Sequence, residues 1–78
     1  MEKNKTLAAA RKEKGLTQEE LAGLMGYSKS AVSNWENGYA QPSLLDAFKL
    51  ASILNKDINS LFAGLHVQVL YTEVTQTG

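Results

Sequence analysis

Short side chains that form hydrogen bonds are concentrated in one segment of the sequence, SKSAVSNWENGYAQPS, at residues 28–43. Serine and asparagine are poor residues for a helix interior, so a face that only had to be soluble would carry Glu, Lys or Ala instead. Their hydroxyl and amide groups donate and accept hydrogen bonds at short reach. We therefore interpret the segment as a surface that contacts another polar surface closely.

Catalytic and metal-binding residues form no comparable pattern. The sequence shows no nucleophile with a base, no pair of catalytic carboxylates and no glycine-rich loop of the kind that holds a phosphate. The chain has one histidine, His66, and no cysteine, and a lone histidine makes no metal site. We expect no enzyme, no cofactor and no metal ion.

Five short helices would position the polar segment, because apolar residues recur at helical spacing between caps and helix stops. The predicted helices run from Lys5 to Lys14, from the capping box at residues 17–20 to a stop at Gly26, from about Lys29 to Asn37, from Pro42-Ser43 to a stop at Asn55, and from Asp57 to near Gly64. Only Tyr27 separates the stop at Gly26 from the next cap, Ser28. This spacing is typical of a helix-turn-helix.

The third predicted helix has an apolar side and a polar side. Ala31, Val32 and Trp35 are expected to face the core. The residues left to face outward are Lys29, Ser30, Ser33 and Asn34.

The last predicted element is a β-strand. Residues 65–75 alternate in polarity with a period of two, and Val67, Val69 and Tyr71 fall on one side. A lone strand leaves its backbone groups unpaired, so we expect it to pair with the same strand of a second copy. The alternatives are a disordered terminus, a strand folded back on its own domain, and a dimer formed through the fifth helix.

The composition fits one small domain. The chain has 78 residues, of which 44% are apolar, and a net charge of +0. It has no long apolar run and no start typical of a signal peptide, and the absence of cysteine suits a reducing compartment. We expect a soluble cytoplasmic protein with no membrane partner. The neutral charge is unusual for a nucleic-acid-binding domain.

The stretch ARKEKGLTQEELAGLMGYSKSAVSNWENGYAQPSLLDAFKLASILNKDINSLF resembles the helix-turn-helix DNA-binding domain of phage repressors and Cro proteins, the XRE-like family. The resemblance covers residues 7–62. Its most specific pieces are Arg11, residues 15–18, residues 21–22, Gly26, Ser28, Val32, residues 35–38 and residues 42–43. It implies an all-α domain of five helices over residues 1–64, with the helix-turn-helix at about 17–38; residues 65–78 would add the C-terminal strand for dimerisation.

The resemblance also implies roles for individual residues. The third helix would enter the major groove of double-stranded DNA, where Lys29 would donate to guanine and Asn34 would pair with adenine. The implied base contacts are Lys29, Ser30, Ser33 and Asn34, and the implied phosphate contacts are Gln18, Ser28, Asn37 and Tyr39. For Tyr39, the alternative is a tyrosine that covers the edge of the core. Backbone amides of the loop after the third helix would also face the DNA. Arg11 and Glu36 would form a structural ion pair.

The chain departs from the family where basic residues are frequent, since Tyr39, Ala40 and Gln41 follow the exit of the third helix. Weak non-specific binding and a modest dependence on salt are expected for a monomer, so useful affinity would require two copies on one site.

We expect a homodimeric transcriptional regulator, a repressor of phage or bacterial type that binds a palindromic operator and needs no small-molecule ligand. The chain ends soon after the DNA-binding domain, which favours a Cro-like or stand-alone regulator. The alternative is a protein-interaction module of the same fold, an antitoxin, antirepressor or polymerase partner with weak DNA binding.

Overall fold

The computed structural model describes residues 3–62, and every regular element in that range is a helix. The helices are α1 (Lys5–Glu13), α2 (Gln18–Met25), α3 (Lys29–Asn37), α4 (Leu44–Leu54) and α5 (Ile58–Phe62). None of the helices in this range is long and apolar enough to cross a membrane. The prediction of an all-α fold with five helices and a helix-turn-helix is confirmed.

The predicted fold class included a C-terminal strand, and this part of the prediction is wrong. Residues 3–62 form five helices and contain no strand. The strand predicted for residues 65–75, with Val67, Val69 and Tyr71, lies outside the described residues. Alternating polarity alone is weak evidence for a strand, because a strand also needs an edge to pair with, and the described residues offer none.

The start of α2 is fixed by a reciprocal cap, as the sequence predicted. The Thr17 hydroxyl accepts a hydrogen bond from the amide of Glu20 at 3.0 Å, and the Glu20 carboxylate accepts one from the amide of Thr17 at 2.9 Å. Two amides that the helix leaves unpaired are thereby satisfied. The first residue of α2, Gln18, is consequently held in a defined orientation.

Left-handed glycines end α2 and α3. Gly26 has φ of 79° and Gly38 has φ of 81°, a conformation that a residue with a Cβ atom adopts at a cost. After Gly26 the amide of Tyr27 donates to the carbonyl of Ala22 at 2.9 Å, which closes the end of α2. The turn between α2 and α3 is therefore closed by a backbone hydrogen bond directly after Gly26.

The core lies between the helices and receives apolar side chains from all five. Leu7, Leu21, Val32 and Leu50 are its largest fully buried side chains. The most extensive packing joins α2 to α3, while α1 packs on α3 and α5, and α4 packs on α2 and α5. Because α3 is held mainly by α2 and α1, its opposite side remains at the surface.

Candidate nucleic-acid interface

The polar face of α3 follows from which of its residues are buried. Val32, Trp35 and Glu36 face the core. Lys29, Ser30 and Asn34 are exposed, and Ser33 and Asn37 are half-buried. The structure therefore brings the four predicted base contacts and one predicted phosphate contact onto the outer half of a single helix.

Two residues of this face bind each other. The amide nitrogen of Asn37 donates to the hydroxyl oxygen of Ser33 at 3.2 Å, one helical turn away. The Ser33 hydroxyl hydrogen and the second Asn37 N–H stay available to an outside acceptor. This contact orients both side chains, but it leaves each with fewer hydrogen-bonding groups for an outside partner than the sequence suggested.

A buried ion pair ties α1 to the end of α3. Arg11 Nε donates to Glu36 Oε2 at 2.6 Å, and Arg11 Nη2 donates to Oε1 at 3.2 Å. Arg11 is 8% exposed and Glu36 is 7% exposed. Arg11 Nη1 also donates to the carbonyl of Leu16 at 2.8 Å, which attaches the loop before α2 to the same group. These contacts give both residues a structural position away from the outer face of α3.

Gln18 joins this network. Its side-chain Nε2 donates to Glu36 Oε1 at 3.0 Å, and the carboxylate has no hydrogen to offer in return, so the nitrogen must be the atom that faces it. One N–H of the amide remains. Gln18 and Lys29 line the same open groove of about 470 Å³ between the starts of α2 and α3, so a predicted phosphate contact and a predicted base contact stand on one side of the α3 face.

Ser28 precedes α3 as its N-cap residue, yet its side chain makes no capping hydrogen bond. The prediction that Ser28 is the cap residue before α3 is therefore confirmed, although its hydroxyl does not take part. The residue is exposed. Its hydroxyl group is free of the helix and faces solvent beside Lys29.

The loop at residues 38–43 is less available than the sequence suggested. The amides of Tyr39 and Ala40 both donate to the carbonyl of Asn34, at 2.9 and 3.3 Å. Within this loop, the amides of Gln41 and Ser43 are the ones that donate no hydrogen bond to a described residue. The Tyr39 side chain is 72% exposed, so it does not cover the core edge and its hydroxyl faces solvent.

A second groove, of about 340 Å³, runs along the other side of α3, between that helix and the start of α4. In it the Tyr27 hydroxyl donates to Asp46 Oδ2, and the Tyr27 ring meets the Trp35 ring edge-on, with centroids 5.2 Å apart. Sequence reasoning missed this contact because residues 19 positions apart carry no shared pattern.

The hydrogen bond to Asp46 raises the pKa of Tyr27 above its ordinary value, with smaller contributions from burial and from the negative charge of Asp46. Because the folded pKa exceeds the unfolded value of about 10, this contact contributes fully at neutral pH. Its contribution would be lost only as the pH rises through the raised value.

Few charges stand near the α3 face. Lys29 is the basic residue on it, and the acidic Glu19 lines the same groove. The other described lysines lie elsewhere on the domain, and one of them, Lys56, pairs with Glu13 at 2.9 Å. The surface therefore relies on polar hydrogen-bonding groups more than on charge.

Comparison with known proteins agrees with this geometry. A family model described as helix-turn-helix matches residues 7–61. The chain is 34% identical over 64 residues to the HTH-type transcriptional activator BcrR of Enterococcus faecalis, an alignment that covers 82% of this chain and 31% of BcrR. It is 41% identical over 51 residues to the ImmF control region 10 kDa protein of Bacillus phage phi105, covering 65% of this chain and 57% of that protein. The chain thus spans less than two thirds of the length of these curated relatives.

One solved structure shares both fold and sequence. The restriction-modification controller protein C.AhdI from Aeromonas hydrophila matches with a TM-score of 0.68 and 39% identity, over 76% of this chain and 86% of that chain. At this identity the likeness extends beyond the fold. The chain belongs to the helix-turn-helix family of DNA-binding transcription regulators, of the phage repressor and Cro type.

Proposed function

We propose that this protein binds specific DNA sequences by placing α3 in the major groove. The observation that carries the proposal is the division of α3 into a side anchored in the core and an outer side of short polar side chains. An α-helix with its side chains fits a major groove about 12 Å wide, and short side chains let it approach the base edges closely.

The groups on the two sides of α3 suit the two DNA backbones that border a major groove. Gln18 and Ser28 stand on the side of α2, and Tyr39 stands on the side of the 38–43 loop. Each offers a hydroxyl or amide hydrogen, and such contacts fix the position of a helix without reading sequence. Asn37, at the end of α3, would contribute its free N–H to a phosphate oxygen.

Asn34 is proposed to read a base. Asn34→Ala should cost about 1–3 kcal/mol per half-site and relax the preference for adenine at one position, because an asparagine amide pairs bidentately with adenine. Binding would be measured by titration of duplexes that carry each base there. Asn59→Ala, an exposed asparagine on α5, is the control and should leave affinity unchanged. Equal loss on every duplex would reassign Asn34 to the DNA backbone.

Lys29 is proposed to donate to guanine. Lys29→Gln should lower the preference for guanine at one position and leave the salt dependence of binding nearly unchanged. The slope of log affinity against log salt is the measurement. If the slope fell by about one unit instead, Lys29 would be a phosphate contact. Lys49→Gln, on α4, provides the control for a loss of charge away from α3.

We further propose that the protein acts as a homodimeric repressor on a palindromic operator, in the cytoplasm of a bacterial cell or a phage-infected host. The near absence of cations around α3 supports two copies, because one copy would gain little affinity from phosphates. The relative named for a phage control region and the controller protein suit such a role, although BcrR is named as an activator. A dimer that overlapped a promoter would exclude polymerase.

A second candidate is a protein-interaction module in which DNA binding is weak. The observation that favours it is the apolar surface of α4, where Leu44, Leu45 and Phe48 are exposed, beside a domain of net charge +0. The two functions respond differently to salt: DNA binding should weaken as salt rises, whereas an apolar contact should not.

The deciding experiment is selection from a random duplex pool by the purified protein at low and moderate salt, followed by sequencing. Enrichment of an inverted repeat with half-sites about one helical turn apart would support the dimeric operator-binding regulator. Failure of a folded protein to enrich any sequence at either salt would favour the protein-interaction module.

A further inference from the structure

Tyr27 is the one residue between Gly26, the C-cap of α2, and Ser28, the N-cap of α3, and its side chain reaches a third helix. Its backbone is held by the hydrogen bond to Ala22. Its ring lies edge-on to Trp35 of α3, and its hydroxyl donates to Asp46 in the first turn of α4. This side chain therefore contacts both α3 and α4, the two helices on either side of the groove beside Asn34.

The link has few substitutes. Direct packing between α3 and α4 is slight compared with the packing of α2 on α3, and the loop at residues 38–43 has no regular structure. Within residues 3–62, the contact between Tyr27 and Asp46 is the only side-chain hydrogen bond that joins the helix-turn-helix at 17–38 to α4. Without it, α4 would still pack on α2 and α5, but no side-chain hydrogen bond within residues 3–62 would fix its first turn to the turn before α3.

Asp46 is itself held in place. Its amide donates to the hydroxyl of Ser43, the cap of α4, at 3.1 Å. The acceptor for Tyr27 thus belongs to a residue in the capped first turn of α4 and not to the loop. The same groove is lined by Asn34 and Gln41, so a shift of α4 relative to the turn would change the spacing between a proposed base-reading residue and the loop that faces it.

We propose that the Tyr27–Asp46 hydrogen bond is a strut that positions the recognition helix relative to the 38–43 loop, and that Tyr27 is a positioning residue for sequence discrimination. This inference rests on the proposed DNA-binding function. The strut contacts neither a base nor a phosphate. It acts by setting the spacing between α3 and the loop, so that α3 can enter the major groove while the loop reaches the DNA backbone that borders it. Loss of it should lower specific binding more than non-specific binding, since non-specific binding tolerates altered spacing.

The test combines three substitutions. Tyr27→Phe keeps the ring on Trp35 and removes the hydroxyl donor. Asp46→Ala and Asp46→Asn both remove the negative charge, but Asn keeps an acceptor oxygen. The ratio of specific to non-specific DNA affinity should fall by about twofold to tenfold for Tyr27→Phe and Asp46→Ala, the range expected from one hydrogen bond. Asp46→Asn should stay close to the wild type.

Hydrogen exchange provides a readout that does not depend on DNA. The amides of Tyr39 and Ala40 bond to the carbonyl of Asn34 and report on how the loop is held against α3. They should exchange several-fold faster in Tyr27→Phe and in Asp46→Ala, at a temperature where the unfolding midpoints show both variants to be folded.

The outcomes separate the strut from the proposed function. If Tyr27→Phe changed neither the amide exchange rates nor the affinity ratio, the strut would be overturned. It would also be overturned if Asp46→Asn were as impaired as Asp46→Ala, because the effect would then be due to the charge of Asp46. If the wild-type protein enriched no DNA sequence, the proposed function would fail at that step and take the discrimination role with it. The exchange rates would still show whether the hydrogen bond holds the loop.

Discussion

Glu36→Ala is expected to lower the free energy of unfolding by about 3–5 kcal/mol, because it leaves the guanidinium of Arg11 buried without a countercharge. The guanidinium would keep its bond to Leu16 but lose both bonds to the carboxylate. The free energy of unfolding of a native protein is only about 5–15 kcal/mol in total, so this loss should remove a large part of the stability of the domain. Urea denaturation followed by the fluorescence of Trp35, the single tryptophan, would measure the loss.

The exposed ion pair between Glu13 and Lys56 is the matched control. Its nitrogen and oxygen lie 2.9 Å apart, but solvent reaches both groups, so Glu13→Ala should cost about 1 kcal/mol or less. The double variant Arg11→Met with Glu36→Leu should recover much of the stability, since no charge would then be left buried. Equal losses for Glu36→Ala and Glu13→Ala would mean that burial does not determine the strength of the Arg11 pair.

Leu50→Ala is expected to cost about 2–5 kcal/mol, because the side chain is fully buried and its removal leaves a cavity in the core. Thermal unfolding followed by circular dichroism would measure it. Leu45→Ala, on the same helix, makes the same chemical change at a residue that is 73% exposed, and should stay within about 0.5 kcal/mol of the wild type.

The comparison also tests the apolar surface of α4. If Leu45→Ala stabilised the isolated domain but abolished a higher-order species in sedimentation, Leu45 would belong to a protein contact. If Leu50→Ala cost no more than Leu45→Ala, the core described for α4 would be incorrect.

Local features of the fold could be predicted from the sequence because they depend on residues close together in the chain. The capping box at Thr17 and Glu20 and the left-handed stops at Gly26 and Gly38 are encoded within a few positions. The resemblance to the family added the pairing of Arg11 with Glu36, which spacing alone does not predict. The strand predicted for residues 65–75 shows the limit of a periodic pattern, since pairing depends on a partner and not on alternation.

Contacts between distant residues could not be predicted. Gln18 bonds to Glu36, 18 positions away, and this contact shows that a residue expected to face DNA also supports the fold. Likewise, the amides of Tyr39 and Ala40 turn inward to the carbonyl of Asn34, because the left-handed Gly38 curls the chain back over the end of α3. Such contacts depend on how the helices pack, which polarity patterns do not specify.

The division of α3 into an anchored side and an outer side has a consequence for evolution. Ser30 and Asn34 are exposed and make no side-chain hydrogen bond within the described residues, so exchanging them should alter the preferred operator with little loss of stability. Val32 and Glu36 cannot be exchanged so freely. Duplicated copies of such a gene could therefore acquire separate targets through a few outer substitutions, while the scaffold that presents them stays the same.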